Sequence, residues 1–265
     1  MKKAILFSGL LTVTISVYAE QGSHWGYSGD VGPKNWAALS ADNFACSGKN
    51  QSPINLTGFI EAELDPIKFD YTPGAHEIIN NGHTIQLNYQ KGSSIEVDGQ
   101  TFNLLQVHFH APSENHINGQ SYPLEAHFVH ANGDGDLAVV AVMYQQGIPN
   151  QGLKIELDKT QGKTIRATAS PNKTLKQIWS VMPTEIGGKY ELTEMINLAA
   201  ILPKNKDHYR FSGSLTTPPC SEGVRWLVMK DVVTVSRKQI EDFSSVLHEP
   251  NNRPLQVINS RLVLE

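Results

Sequence analysis

Short runs in which apolar and polar residues alternate recur along the chain between turn signals, and long stretches of helical periodicity are scarce. Alternation with period two suits a strand that buries one face, so the pattern predicts a mainly β fold. The clearest runs are His83 to Tyr89 after the turn signal Asn80-Asn81-Gly82, Ser94 to Val97 before Asp98-Gly99, and Thr101 to His110. Glu125 to His130, Leu137 to Tyr144 and Val224 to Met229 follow. Helical patterning is confined to Thr174 to Val181, Leu192 to Ala200 and Ser236 to Leu247, the last opened by Ser236 as a cap. No repeat and no Pro/Ser/Gly linker interrupts the 265 residues. β-rich single domains reach this length, so one domain is expected.

Charge excludes some partners. The formal balance is 22 minus 26, or -4, with no basic block longer than two residues, which argues against nucleic acid and anionic membrane surfaces. The first segment reads as an address. Lys2 and Lys3 precede an apolar run from Ala4 to Val17, and Val17-Tyr18-Ala19 offers small residues where a signal peptidase would read, so residues 1–19 are expected to be removed and the domain to start at Glu20. The run is about fourteen residues, short of the roughly twenty needed to span a bilayer, and no other window is long and apolar enough. Losing both lysines leaves 20 minus 26, a charge of -6. The periplasm is the expected location, with secretion as the alternative.

In an oxidising compartment Cys46 and Cys220 are expected to pair. The loop they would close is very long, for which chain entropy gives roughly 5 kcal/mol as an upper figure. Two separate buried thiols, or two zinc thiolates without the usual close C-x-x-C spacing, are the alternatives.

Five of the 10 histidines fall between positions 108 and 130. Strict alternation in Thr101 to His110 puts Phe102, Leu104, Gln106, His108 and His110 on one face and Leu105, Val107 and Phe109 on the other. In Glu125 to His130 it puts Glu125, His127 and Val129 together and turns Ala126, Phe128 and His130 away. The segment between is long enough to lay the two strands side by side, which lets His127 complete a trio with His108 and His110. Three neutral imidazoles with an open fourth position are what a catalytic zinc requires, one ion per chain. Gln106 and Glu125, each two residues before a histidine on its face, are placed to accept the far N–H of a ligand imidazole.

Gln106-Val107-His108-Phe109-His110, Ser113-Glu114 and Glu125-Ala126-His127-Phe128-Val129-His130 closely resemble the zinc strands of the α-class carbonic anhydrases. The likeness extends to His24-Trp25-Gly26-Tyr27, Asn50-Gln51-Ser52-Pro53-Ile54-Asn55 and Asn80-Asn81-Gly82-His83. Later come Tyr209 to Cys220 and Asn252-Arg253-Pro254, so the match runs in order from about His24 to the end. Cys46 and Cys220 are similar to the disulfide pair of exported, especially bacterial, members.

The resemblance implies a single domain on a mostly antiparallel twisted sheet of about ten strands, with a few short peripheral helices. It implies reversible hydration of carbon dioxide to bicarbonate and a proton by a zinc-held hydroxide; carbonic anhydrase is itself the standard example of zinc acidifying a bound water. It assigns His108, His110 and His127 to the metal. Thr216 would be a gatekeeper hydroxyl whose proton is committed to Glu114, and the Thr217 N–H would meet bicarbonate or a sulfonamide. Anions are expected inhibitors too. Val129, Val139, Leu215, Val224 and Trp226 match the apolar wall for carbon dioxide. His83 matches the proton shuttle, and Tyr27, Asn81 and Gln86 the residues that order its water chain, Gln86 standing where many relatives carry Asn. Asn115 stands where many carry His. His130 is expected to be a core hydrogen bonder, and bacterial relatives are often homodimers. A catalytically silent binding domain of the same fold and an exported zinc buffer are the competing readings; the first lacks the lost ligands such domains show, and the second leaves Thr216, Glu114 and His83 unexplained.

Overall fold

The computed structural model describes residues 24–147 and 172–265; the expected signal segment lies outside them. Strands come in the order β1 (Asn55–Leu56), β2 (Lys68–Asp70), β3 (Ala75–Asn80), β4 (Ile85–Tyr89), β5 (Ser94–Val97), β6 (Gln100–His110) and β7 (His116–Ile117). They continue with β8 (Leu124–Ala131), β9 (Leu137–Gln146), β10 (Lys189–Ile196), β11 (His208–Ser214), β12 (Glu222–Met229) and β13 (Val233–Val235). Helices are short: α1 (Trp36–Leu39), α2 (Lys173–Trp179) and α3 (Arg237–Ser245).

Eleven of these strands form one twisted sheet whose main path runs β10-β3-β4-β6-β8-β9-β12-β11, against the ten or so expected. Its pairings are antiparallel except where β12 and β13 join β9 in parallel. The remaining two, β1 and β7, form a small parallel pair.

The central strands are buried on both faces, so their alternation sorts one apolar side chain from another. On β9, Ala138, Val140, Val142 and Tyr144 enter one core while Val139, Ala141 and Met143 enter a second. On β12, Leu227 and Met229 divide in the same way from Val224, Trp226 and Val228. Each fully buried large side chain contributes about 1.5–3 kcal/mol relative to exposure, which pins the register. The larger core is roofed by α2 and α3, where Phe243 stacks on Trp179 and both rings meet Phe109. Ser236 caps α3 as expected: its hydroxyl takes the Gln239 N–H, and Gln239 Oε1 takes the Ser236 N–H in return. That helix delivers the chain to residues 249–253, which reach back to the site.

Two expectations fail. Leu192 to Ala200 is not a helix: Lys189 to Ile196 pairs with β3, and only Leu198–Ile201 makes a 3-10 turn. The apolar spacing there fitted a helix, but edge pairing to an existing sheet outweighs so weak a propensity. Strict alternation also breaks inside β6. The register with β8 shifts between Leu104 and Gln106, so Phe102 and Leu104 join Val107 and Phe109 in the larger core, while Leu105 is 45% exposed. A bulge of this kind re-aims everything after it.

Candidate metal centre

β6 and β8 lie antiparallel, with His108 opposite His127 and His110 opposite Glu125. Ring nitrogens of His108, His110 and His127, one from each, all come within 4.8 Å of one another. Each ring is held by an atom that can only accept. Gln106 Oε1 takes the Nδ1–H of His108 at 2.8 Å, the main-chain oxygen of Asn251 takes the Nδ1–H of His110 at 2.6 Å, and Glu125 Oε1 takes the Nε2–H of His127 at 2.9 Å. A neutral imidazole has one N–H, so these bonds leave lone pairs on Nε2 of His108, Nε2 of His110 and Nδ1 of His127. Burial pushes all three histidines below their ordinary pKa, and the adjacent imidazoles push His108 and His127 further. Neutral rings with lone pairs gathered in one place fit a divalent cation.

The polar frame is dense. Glu125 Oε2 accepts the N–H groups of Glu114 and Asn115 at 2.7 and 2.9 Å, and its Oε1 accepts the Asn115 side-chain amide at 2.9 Å. Asn115 therefore supplies a hydrogen bond of its own to the partner of His127. Glu114 Oε1 accepts the Arg253 N–H at 2.8 Å, and the Thr216 hydroxyl also bonds this carboxyl group. Burial pushes Glu114 and Glu125 upward, and these donors oppose it. Glu114 Oε2 and His110 Nε2, both buried, make no well-formed hydrogen bond.

Val129, Val139, Val224 and Trp226 share the smaller core, with Leu215 packed against it, and the Trp226 ring meets His127 edge-on at 4.9 Å. Gly213 leaves room for that wall: a Cβ there would stand 3.0 Å from Trp226 Cδ1 and closer still to Ser52 Oγ. Thr216 is buried and Thr217 half-buried, in the loop that leads to Cys220. Cys220 is bonded to Cys46 across 174 residues.

His83 sits on the Asn80-Asn81-Gly82 turn, where Gly82 takes a φ of +85° that favours glycine. Asn81 Oδ1 accepts the N–H groups of His83 and Thr84, each at 2.9 Å. The imidazole stacks on Trp25 at 3.6 Å, and Tyr27 stands edge-on at 6.5 Å. Asn81 reaches Gln86 at 3.4 Å, and Gln86 pairs with His108 across β4 and β6. His130 faces the larger core, where its Nε2 meets the Tyr71 hydroxyl at 2.6 Å.

Asn251 and Glu249, which no motif singles out, and Arg253, which stands in the motif Asn252-Arg253-Pro254 without a role of its own, also belong to this region. Asn251 holds His110 through its main-chain oxygen and donates its side-chain amide to the main-chain oxygen of His83 at 3.0 Å. Arg253 buries its guanidinium among Gln51 Oε1, the Ser52 and Cys46 oxygens and the Trp36 ring. Asn251 and Arg253 lie about 140 residues from the histidines, and local spacing carries no trace of such contacts.

The family model described as eukaryotic-type carbonic anhydrase matches residues 31–265. A carbonic anhydrase of Pectobacterium carotovorum is 44% identical over 265 residues, covering 100% of both chains. One from Neisseria gonorrhoeae is 42% identical over 260 residues, 97% of this chain and 94% of that one. The α-carbonic anhydrase of Thermovibrio ammonificans, solved with the inhibitor sulfanilamide, superposes with a TM-score of 0.82 at 44% identity, covering 92% of this chain and 100% of that one.

Proposed function

The chain belongs to the eukaryotic-type, or α-class, carbonic anhydrase family and is an enzyme of that kind, and from that premise we propose that it hydrates carbon dioxide reversibly with zinc at His108, His110 and His127 and a proton shuttle at His83. The observation that carries the reading is the set of three neutral imidazoles, each with its N–H engaged elsewhere and its lone pair turned to a common point. His108, His110 and His127 would hold zinc through three nitrogens and leave room for the reacting group. Zinc, when bound, is a Lewis acid that acidifies a ligated water and so supplies a nucleophile near neutral pH, a property for which this family is the standard example.

The chain's own residues do the rest. Thr216 donates a hydrogen bond from its hydroxyl to Glu114, so its lone pair is left to accept from the attacking oxygen and orient it. Arg253 N–H holds Glu114 in place for that task. Val129, Val139, Leu215, Val224 and Trp226 offer an apolar surface, which suits a substrate with neither charge nor dipole. The Thr217 N–H is the proposed donor to bicarbonate and to a sulfonamide, the inhibitor class with which the Thermovibrio enzyme was solved.

Each hydration releases a proton that must leave the buried site. His83 is half-buried and stacked, and burial, then the neighbouring His24, lowers its pKa while Glu249 raises it. Imidazole is the side chain whose ordinary titration range suits proton exchange with buffer, and the stacked, half-exposed place of His83 lets it reach solvent. Tyr27, Asn81 and Gln86 line the path with polar groups. Export through residues 1–19 and a domain from residue 20 complete the proposal. The Cys46–Cys220 disulfide supports it, and among the described residues no helix is long and apolar enough to cross a membrane.

Stopped-flow carbon dioxide hydration on zinc-loaded protein, with and without a chelator, tests this reading. Fast hydration abolished by the chelator is expected. Zinc-loaded protein no faster than buffer would overturn it.

A further inference from the structure

The loop after α3 brings a carboxylate to the shuttle. Glu249 Oε1 accepts the Tyr27 N–H at 3.0 Å across 222 residues of sequence. Gly26 lies beneath that contact, where a Cβ would stand 3.6 Å from Glu249 Oε1. Glu249, His248, Trp25, Tyr27, Asn81 and His83 line one cavity of about 350 Å³. The stacked pair of Trp25 and His83 is thus bounded on one side by the shuttle turn and on the other by a segment that Glu249 ties down.

We infer that Glu249 is a positioning residue for proton transfer: it anchors the N-terminal segment that stacks on His83, and it presents a negative charge to that ring. The inference rests on the reading of His83 as the shuttle. Groups facing His83 come from several elements. His24 and Tyr27 belong to the N-terminal segment, and Asp42, from the 3-10 turn Ala41–Ser47, shares a second hollow with His24 and His83. His248 and Glu249 come from the loop after α3, and Asn81 and Asn251 hold the His83 main chain. Burial and His24 disfavour the imidazolium, and Glu249 favours it. A shuttle must hold a proton briefly, so the carboxylate stabilises the loaded state without touching substrate or metal.

Glu249→Gln separates charge from anchoring, because the amide oxygen still accepts the Tyr27 N–H. In the zinc-loaded full chain, the His83 C2–H titration followed by NMR should fall by roughly half a pH unit. That is about a threefold loss in proton-accepting equilibrium, so kcat in dilute buffer should fall about threefold. kcat/KM should hold, and small imidazole buffers should restore kcat. Glu249→Ala should lose more, because the anchor goes too. A His83→Ala variant with unchanged kcat would overturn the shuttle reading and this assignment with it. Slowed His83→Ala beside Glu249→Gln with wild-type titration and kcat would overturn the assignment alone. Equal losses of kcat and kcat/KM in Glu249→Gln would also overturn it, by pointing to general damage.

Discussion

His110 Nε2 and Glu114 Oε2 face each other at 3.4 Å, both buried, and neither makes a well-formed hydrogen bond. Two acceptors opposed in a buried site cost free energy, since a buried unsatisfied polar atom costs about 1–3 kcal/mol. Glu114 Oε2 also lies 3.9 Å from His127 Nδ1, so acceptors collect around one point. A cation among them removes the penalty. The expected consequence is marked stabilisation by zinc: about 4 kcal/mol at a thousandfold excess over Kd, or roughly 8–16 °C in Tm for a domain of this size. Calorimetry of chelated and zinc-loaded protein checks it. Identical melting curves would mean that this point binds no zinc.

A second expectation concerns acid. His130 Nδ1 donates to the Ala138 oxygen at 3.2 Å, so Nε2 is the lone-pair nitrogen that accepts the Tyr71 hydroxyl. Burial pushes His130 down to about 4. In the unfolded chain the same ring titrates near about 6.5. The unfolded state therefore binds the extra proton first as pH falls, and the stability His130 contributes, complete above about 6.5, is lost between there and about 4. About 2.5 units correspond to roughly 3 kcal/mol. Denaturant melts at stepped pH should show a shallower acid decline in His130→Gln. Tyr71→Phe should cost about 1–3 kcal/mol at pH 7 by stranding Nε2. A parallel decline in both proteins would remove His130 from the account.

What was legible in the sequence was whatever a local period could carry. The sides of β8 and the meeting of His108, His110 and His127 follow from two strands that alternate and pair, and Gln106 and Glu125 hold their histidines because each lies two residues away on the same side. Period two failed where the backbone departed from it. The bulge at Leu105 shifted Phe102 and Leu104 to the other core, and no residue type announces a bulge of that kind. Leu192 to Ala200 failed for the opposite reason, because a plausible local period lost to an edge that the sheet had available. Asn251 and Glu249 were silent and Arg253 stood out only within the motif Asn252-Arg253-Pro254, since each acts through an oxygen, an N–H or a charge delivered from far along the chain.

The disulfide invites a third test. Cys46 lies in the 3-10 turn Ala41–Ser47, Cys220 ends the loop of Thr216 and Thr217, and the bond joins them. Cys220 holds a φ of +58°, a conformation that costs a residue other than glycine about 1–2 kcal/mol. Freed from its partner, that residue can relax and take the loop with it. Replacing both cysteines by serine should cost about 2–5 kcal/mol of stability. It should also lower kcat/KM at temperatures where the protein stays folded, because Thr216 loses its support. Unchanged kcat/KM in a folded but less stable variant would confine the bridge to stability.

Thr216 itself separates orientation from binding. Its hydroxyl bonds the Glu114 carboxyl group, and Arg253 N–H holds the same group from the other side at 2.8 Å. Thr216→Val keeps the shape but removes both the donor to Glu114 and the proposed acceptor for the attacking oxygen. Loss of one preorganised polar contact of this kind typically costs a factor of about 100 or more. kcat/KM should fall by about that factor while zinc content, measured by atomic absorption, stays at one per chain. Thr216→Ser retains the hydroxyl and should recover most of the rate, the remaining deficit reflecting the freer rotor without its methyl group. Were the valine variant as fast as the wild type, the hydroxyl would have no part in orienting the nucleophile, and Glu114 would be left with a structural role alone.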